Sequence, residues 1–362
     1  MHKLSLQIFF ILTLTWGIGY LQFLRYPIYI YSAILIILTT PKISLYKLKP
    51  ILFIIFPISM YLIIWERYSI LYFLLVLLYI FFVRSTVNFP ENEDYQWVYK
   101  SIVFVVIITI ISLFLMESRS IYQDISSGIY PEYSHLGFTL GPALGLITSK
   151  KKYRFFGIGS ILFLAFKCFS RSLIIGYFVS LLLNLKYDLK LKSNKLALLI
   201  IIITTVLVMT FFIYVNLVIV PQIYSPSDTS IRASSIIWAI NINKGFNIMT
   251  LNPLGVGPFG WIKDGIERLF IHTDLTSYNQ RDMASLAAYG IASFGWLFFV
   301  YLFYIFKWLL NDINLSKGFY RINPLALLTI SYIITACFRW TGITVGPLVG
   351  MLCLASNYNK EK

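Results

Sequence analysis

Charge is scarce in this chain: only 12% of its 362 residues are Asp, Glu, Lys or Arg, against 58% that are hydrophobic. A soluble protein of this length has no way to hide so much apolar surface, which excludes the ordinary globular classes. Histidine and cysteine are scarcer still, at three each. Cys168, Cys337 and Cys353 are too few for a disulfide framework and match no zinc spacing. Cys168 and Cys337 both fall near outer helix ends, so one bridge between them stays open. No HExxH, GxSxG or P-loop sequence occurs, nor an outer Asp-x-Asp pair for metal–phosphate chemistry. No metal and no cofactor is expected. The chain also lacks the internal repeat that transporters often carry, and it has no low-complexity tail.

What is abundant is apolar sequence in runs. A bilayer-spanning helix needs roughly 20 apolar residues, and spans are expected near 4–24, 26–40, 48–65, 68–83, 98–116, 135–149, 153–169, 170–185, 196–220, 283–306, 322–338 and 340–356. The expected fold is therefore all-α: a polytopic integral membrane protein of about 12 transmembrane helices, with residues 1–362 as one membrane domain. A larger outer loop, 221–282, separates spans nine and ten and carries an amphipathic helix lying along the membrane surface. The 26 Tyr and 8 Trp suit interfacial belts. No cleaved leader is expected, since the first run lacks a small-residue cleavage site and further spans follow it.

Threading these spans with the N-terminus inside sorts the charges by side. Inner loops carry 19 basic and 6 acidic residues and the outer side 11 and 9, so most of the +15 excess faces inward. That is the positive-inside pattern facing anionic lipid, not a nucleic-acid footprint. Sixteen of the 19 lysines fall inside, whereas eight of the 11 arginines fall outside: Arg25, Arg67, Arg119, Arg171, Arg232, Arg268, Arg281 and Arg339. Lysine inside is ordinary topology. Arginine outside points to a ligand, because its rigid five-donor fork grips phosphate or carboxylate with two bonds at once.

Several outer residues carry this chemistry, each beside a plainer alternative. Arg232 opens the expected loop helix, capped from Asp228-Thr229-Ser230, where helix N–H groups and guanidinium converge on an anion; a salt bridge to Asp228 is the alternative. Arg171, in the tight turn Phe169-Ser170-Arg171-Ser172, sits at membrane depth, where arginine faces a polar cavity or snorkels to headgroups. Arg339 occupies the matching last hairpin between Phe338 and Trp340. Glu132, with Tyr133 beside it, stands where a carboxylate serves as base, orients an arginine or is simply solvated. His135 and His272, the two histidines beyond the N-terminus, both map outside; histidine is the side chain suited to proton transfer near neutral pH, and a structural role is the alternative for each. Arg281 and Asp282 are adjacent and suit an ion pair. The letters Gly255-x-Gly257-x-x-Gly260 match a dinucleotide fingerprint, but Pro258 removes a donor from any phosphate cradle and a tight turn is the better reading.

In order and spacing these pieces resemble the O-antigen polymerase and ligase superfamily, the Wzy-type integral membrane glycosyltransferases. Gly128-Ile129-Tyr130-Pro131-Glu132 resembles the family's Gly-(apolar)-x-x-Glu before a span. Phe169-Ser170-Arg171-Ser172-Leu173 resembles its Ser-Arg hairpin. Arg232 followed by Asn252-Pro253-Leu254-Gly255-Val256-Gly257 resembles its outer-loop Arg helix and Gly-x-Gly turn, and Leu286 to Gly295 resembles the next span. The likeness covers roughly residues 118–306. Ligases carry a histidine about ten residues before the glycine that Gly290 resembles. This chain has Gln280 there, beside Arg281 and Asp282, which favours the polymerase, although His272 can stand in from a shifted loop.

The resemblance implies a multi-pass protein of the bacterial inner membrane with its site facing the periplasm. It implies polymerisation of undecaprenyl-diphosphate-linked oligosaccharide repeat units, with release of undecaprenyl diphosphate by metal-independent inversion. Arg171 and Arg232 would hold the departing diphosphate, with Glu132 as base or arginine-orienter and His135 in reserve. Arg119, Arg281, Arg339, Asp282, His272 and Tyr133 would contact substrate. A polysaccharide chain-length regulator is a candidate partner, and nucleic acid is not. The alternatives are a ligase of the same superfamily and a flippase or other transporter for lipid-linked sugar.

Overall fold

A computed structural model describes residues 2–15, 22–39, 83, 87, 94–115, 129–130, 133–168, 170–185, 233–257, 285–311, 314–316, 319–321, 323–338 and 347–355. These residues are predominantly helical. In chain order the helices are α1 (His2–Leu14), α2 (Gln22–Thr39), α3 (Gln96–Leu115), α4 (Tyr133–Thr148), α5 (Arg154–Cys168), α6 (Arg171–Leu185), α7 (Ala233–Leu251), α8 (Leu286–Phe294), α9 (Leu297–Asn311), α10 (Pro324–Phe338) and α11 (Pro347–Leu354). A short 3₁₀ turn, Lys151–Tyr153, leads into α5.

Among the described residues, one helix, α3, is long and apolar enough to cross a membrane. Shorter apolar helices cover Lys3–Leu14, His135–Thr148, Ser172–Asn184, Leu297–Leu309 and Pro324–Phe338. Twelve full spans are thus not what the described residues display. The expected spans at 48–65 and 196–220 lie outside them, as does 68–83 apart from Val83.

Two expectations need correction. The tenth expected span, 283–306, is not one helix: it breaks at Gly295-Trp296 between α8 and α9, and α9 runs on to Asn311. A chain segment hydrogen-bonded to that break, detailed below, replaces the helical bonds lost there. The all-α expectation has one exception before α10, an antiparallel hairpin of β1 (Asn314–Ser316) with β2 (Phe319–Arg321), in register Asn314 to Arg321. The loop helix α7 runs to Leu251 and ends at the turn that Asn252-Pro253 opens. Its buried residues Asn241, Ile242, Gly245, Phe246, Ile248 and Met249 form one helical face, which packs on α8.

Helix α10 is the centre of the arrangement. Every residue from Pro324 to Cys337 is buried, and its neighbours are α4, α6, α8, α9 and α11. Asn323 starts it by accepting the Leu325 N–H at 3.0 Å. The chain's two ends meet: α11 packs on α1, with Gly350 against the Thr13 side chain. Trp97 of α3 meets Phe10 of α1 edge-on, with centroids 5.7 Å apart.

Large apolar side chains cover the outside of these helices as well as the core. Helix α3 buries Ser101, Thr109 and Ser112 and exposes Phe104, Ile107, Ile111, Phe114 and Leu115. Helix α5 exposes Phe155, Ile158, Leu162 and Phe166, and α6 exposes Ile174, Phe178 and Leu182. The spacings of three and four place each set on one face. Buried hydroxyls turn back on their own helices, as Thr109 to the Val105 carbonyl at 2.8 Å and Thr335 to the Ser331 carbonyl at 2.7 Å.

Candidate active site

The segment before Glu132 is tied down by Tyr130. Its ring is fully enclosed, and its hydroxyl donates to the Leu14 carbonyl at 2.8 Å, in the last turn of α1. A carbonyl at a helix end has no partner within its own helix, so this bond satisfies an acceptor that burial would otherwise penalise. The Ile129 N–H donates to the Ser112 hydroxyl at 3.2 Å, fixing the same segment to the end of α3. Burial, only partly offset by the Thr109 hydroxyl, holds the Tyr130 phenol well above its usual range, so it stays a proton donor. Tyr130→Phe should lower unfolding stability by about 1–3 kcal/mol, because it leaves a buried carbonyl without its donor. Thermal unfolding of the detergent-solubilised protein checks this; an unchanged midpoint contradicts it.

Immediately after Glu132, α4 begins, and its first turns lie directly against the start of α6. Gly137 faces the Ser170 and Ser172 side chains so closely that any Cβ there would collide with the Ser170 hydroxyl. Further on, Gly141 meets the Leu173 carbonyl, Gly145 meets Tyr177 and Ser180, and the Pro142 ring fills the space above Gly176. Contacts rise together along both helices, so α4 and α6 run parallel. The Ser170 and Ser172 hydroxyls share a hydrogen bond at 2.9 Å. Arg171, first residue of α6, stands between them in the chain. His135 is half-buried in the first turn of α4, with its Nδ1 shielded from solvent. The structure therefore joins the chain positions around Arg171 to those of Tyr133 and His135.

A second junction joins the loop helix to the broken span. After α7, Gly255 and Gly257 adopt φ values of 79° and 80°, in the left-handed region where a side chain is strained. Their turn lies backbone to backbone on the α8–α9 break. Val256 N donates to Ala292 O and Gly257 N to Ser293 O, both at 2.9 Å, and Trp296 N donates to Pro253 O at 2.9 Å. A Cβ on Gly255 or on Gly295 would strike the opposing backbone. The tight-turn reading is thus what the geometry displays, with a helix rather than a strand in front of it. Gly245 meets Ala288 and Pro253 meets Trp296, so α7 and α8 run in the same direction. Ser285 caps α8 by accepting the Ala288 N–H at 3.1 Å. The first residue of α7 stands 12 residues from Gly245, roughly 18 Å of helix. The starts of α7 and α8 are therefore not brought together.

Glu132, Arg232, Arg119, Arg281, Arg339, Asp282 and His272 lie outside the described residues, and of Arg171 and Tyr133 the backbone is described. Among the described residues no three His, Cys, Asp or Glu cluster to hold a metal, and Cys168, Cys337 and Cys353 are buried thiols. Sequence reasoning missed Tyr130 as an anchor, Ser170 and Ser172 as a paired contact, and the Gly137, Gly141, Gly145 row. The four-residue glycine spacing was the signal for the last. No family model, no curated protein and no solved structure matches the chain.

Proposed function

We propose that the chain is a multi-pass membrane glycosyltransferase that polymerises oligosaccharide repeat units carried on undecaprenyl diphosphate, working at the outer face of the bacterial inner membrane. The observation that carries this reading is the contact of Ser170 and Ser172 with Gly137. It joins the turn bearing Arg171 to the helix start that follows Glu132. A lipid phase is supported by the exposed apolar stripes of α3, α5 and α6, since faces of that size do not stay in water. The parallel course of α4 and α6 agrees with two spans joined through one return helix.

In the proposed reaction a hydroxyl of one lipid-linked unit attacks the anomeric carbon of the growing chain. The new glycosidic bond forms as the bond to diphosphate breaks, with inversion. The hydroxyl proton passes to the Glu132 carboxylate, with His135 in reserve. Undecaprenyl diphosphate leaves with its charge held by Arg171 and Arg232, supported by Arg119, Arg281 and Arg339. Tyr133, His272 and Asp282 contact the sugars. No metal is needed if arginine supplies the neutralisation, and one such donor is worth about 10²–10³ in rate.

Purified protein in detergent should convert undecaprenyl-diphosphate-linked repeat units into a ladder of polymers, resolved by gel electrophoresis. A transporter makes no polymer under those conditions. Failure to form a ladder with a preparation that remains folded would overturn the assignment.

A further inference from the structure

Opposite the α4–α6 start, the turn between α4 and α5 carries a second, unrelated constellation. The Tyr99 ring of α3 stacks on the Tyr153 ring with centroids 6.2 Å apart and planes at 20°. Lys150 Nζ lies 5.4 Å above the Tyr99 ring and Lys152 Nζ 5.5 Å above that of Tyr153. Lys100, Lys150, Lys151, Lys152 and Arg154 are all exposed here. The 3₁₀ turn that opens at Lys151 has no side-chain cap. Asp94 is the one carboxylate among the described residues, and its Oδ1 is engaged by the Gln96 N–H. The cations therefore face outward without a protein counter-charge among the described residues, two of them steadied by aromatic rings.

An apolar track starts where the cations end. Phe155, 88% exposed, is followed by Ile158, Leu162 and Phe166, the last 74% exposed, on one face of α5. From Phe155 to Phe166 the helix rises roughly 16 Å, about half the thickness of a ~30 Å hydrocarbon core. A cationic head site above a one-leaflet apolar track matches the length of a single phospholipid and complements the charge of an anionic one.

We propose that Lys150, Lys151, Lys152 and Arg154, on the Tyr99–Tyr153 platform, bind the phosphate headgroup of an anionic glycerophospholipid whose acyl chain lies along Phe155, Ile158, Leu162 and Phe166. Charge complementarity selects an anionic lipid over a zwitterionic one, since basic residues at the surface favour anionic headgroups a fewfold each. The site rests on the proposed function only in its assignment to the cytoplasmic leaflet.

Full-length protein in phosphatidylcholine nanodiscs, doped with photoactivatable phosphatidylglycerol or with phosphatidylcholine of the same acyl chains, tests this by peptide mapping. Phosphatidylglycerol should label the peptide spanning 150–166 severalfold above phosphatidylcholine. Lys150→Gln with Lys152→Gln should cut that labelling by roughly tenfold and leave phosphatidylcholine labelling unchanged. Should the double variant not insert, wild type at high salt should show the same selective loss, because screening weakens the headgroup contact alone. Equal labelling by both lipids, or phosphatidylglycerol labelling indifferent to the substitutions and to salt, overturns the proposal. The leaflet is read separately: Ser149→Cys should resist an impermeant thiol reagent added outside intact cells. Reaction there would overturn the orientation behind the proposed polymerase and leave the lipid site standing.

Discussion

Arg232→Lys should abolish most polymer formation while the protein still reaches the membrane in wild-type amount. The two side chains share a charge, so helix start, topology and insertion are all conserved by the exchange. They differ in what they can hold. A guanidinium presents paired N–H donors in one plane and grips two oxygens of a diphosphate together, whereas an ammonium is a strongly hydrated point charge. If the leaving diphosphate is stabilised at this position, the loss falls on the transition state and is about 10²–10³ in rate. Chain-length profiles of the polysaccharide, with membrane protein levels measured in parallel, decide it. A wild-type ladder from the lysine variant would refute the role given to Arg232. If Arg232 instead only pairs with Asp228, lysine would substitute with little loss, so the same experiment separates ligand from salt bridge.

How much was legible beforehand follows from where the information resides. The long apolar run that became α3 was readable because most of its positions are apolar, and Gln96–Leu115 departs from the expected 98–116 by two residues or fewer at each end. The turn at Gly255 and Gly257 was readable because glycine and proline punctuate it. What that turn docks on was not readable. Its partners are backbone atoms of Ala292, Ser293 and Trp296, and a contact between main chains leaves no side-chain signature except Gly295. The face that Ile242, Phe246, Ile248 and Met249 bury against α8 is a tertiary contact, invisible in local pattern. The β1–β2 hairpin escaped notice because three-residue strands offer too few positions to establish alternation. For the site, sequence supplied the arginines by side, and the structure supplied the frame that joins the flanks of Arg171 to the start of α4. Tyr130 read as part of a motif string, yet its contact with Leu14 lies 116 residues away in sequence.

Gly141→Ala should lose most of the folded protein, whereas Gly159→Ala should be neutral or slightly stabilising. Both are glycines inside apolar helices, and helix propensity alone favours alanine at each by up to about 1 kcal/mol. Their surroundings differ. A Cβ at Gly141 would sit 2.5 Å from the Leu173 carbonyl oxygen and 3.1 Å from its Cα, whereas one at Gly159 finds nothing within 4 Å. The obstacle at Gly141 is main chain, which no rotamer change moves, so α4 and α6 would have to separate along the row of Gly137, Gly141 and Gly145. Overpacking of this kind costs about 1–3 kcal/mol where side chains can yield, and more is expected here. If α4 and α6 lie in lipid, as proposed, the loss is harder to recover. Helices there gain little from hiding apolar surface, so close approach at small residues is what holds them together. Unfolding midpoints of the two variants in detergent, beside wild type, measure the difference. The same separation would pull the turn bearing Arg171 away from the start of α4, so polymer yield per folded molecule should fall with Gly141→Ala and hold with Gly159→Ala. Equal behaviour of the two would mean that α4 and α6 do not meet as closely as Gly137, Gly141 and Gly145 require, and the frame for the proposed chemistry would fall with them.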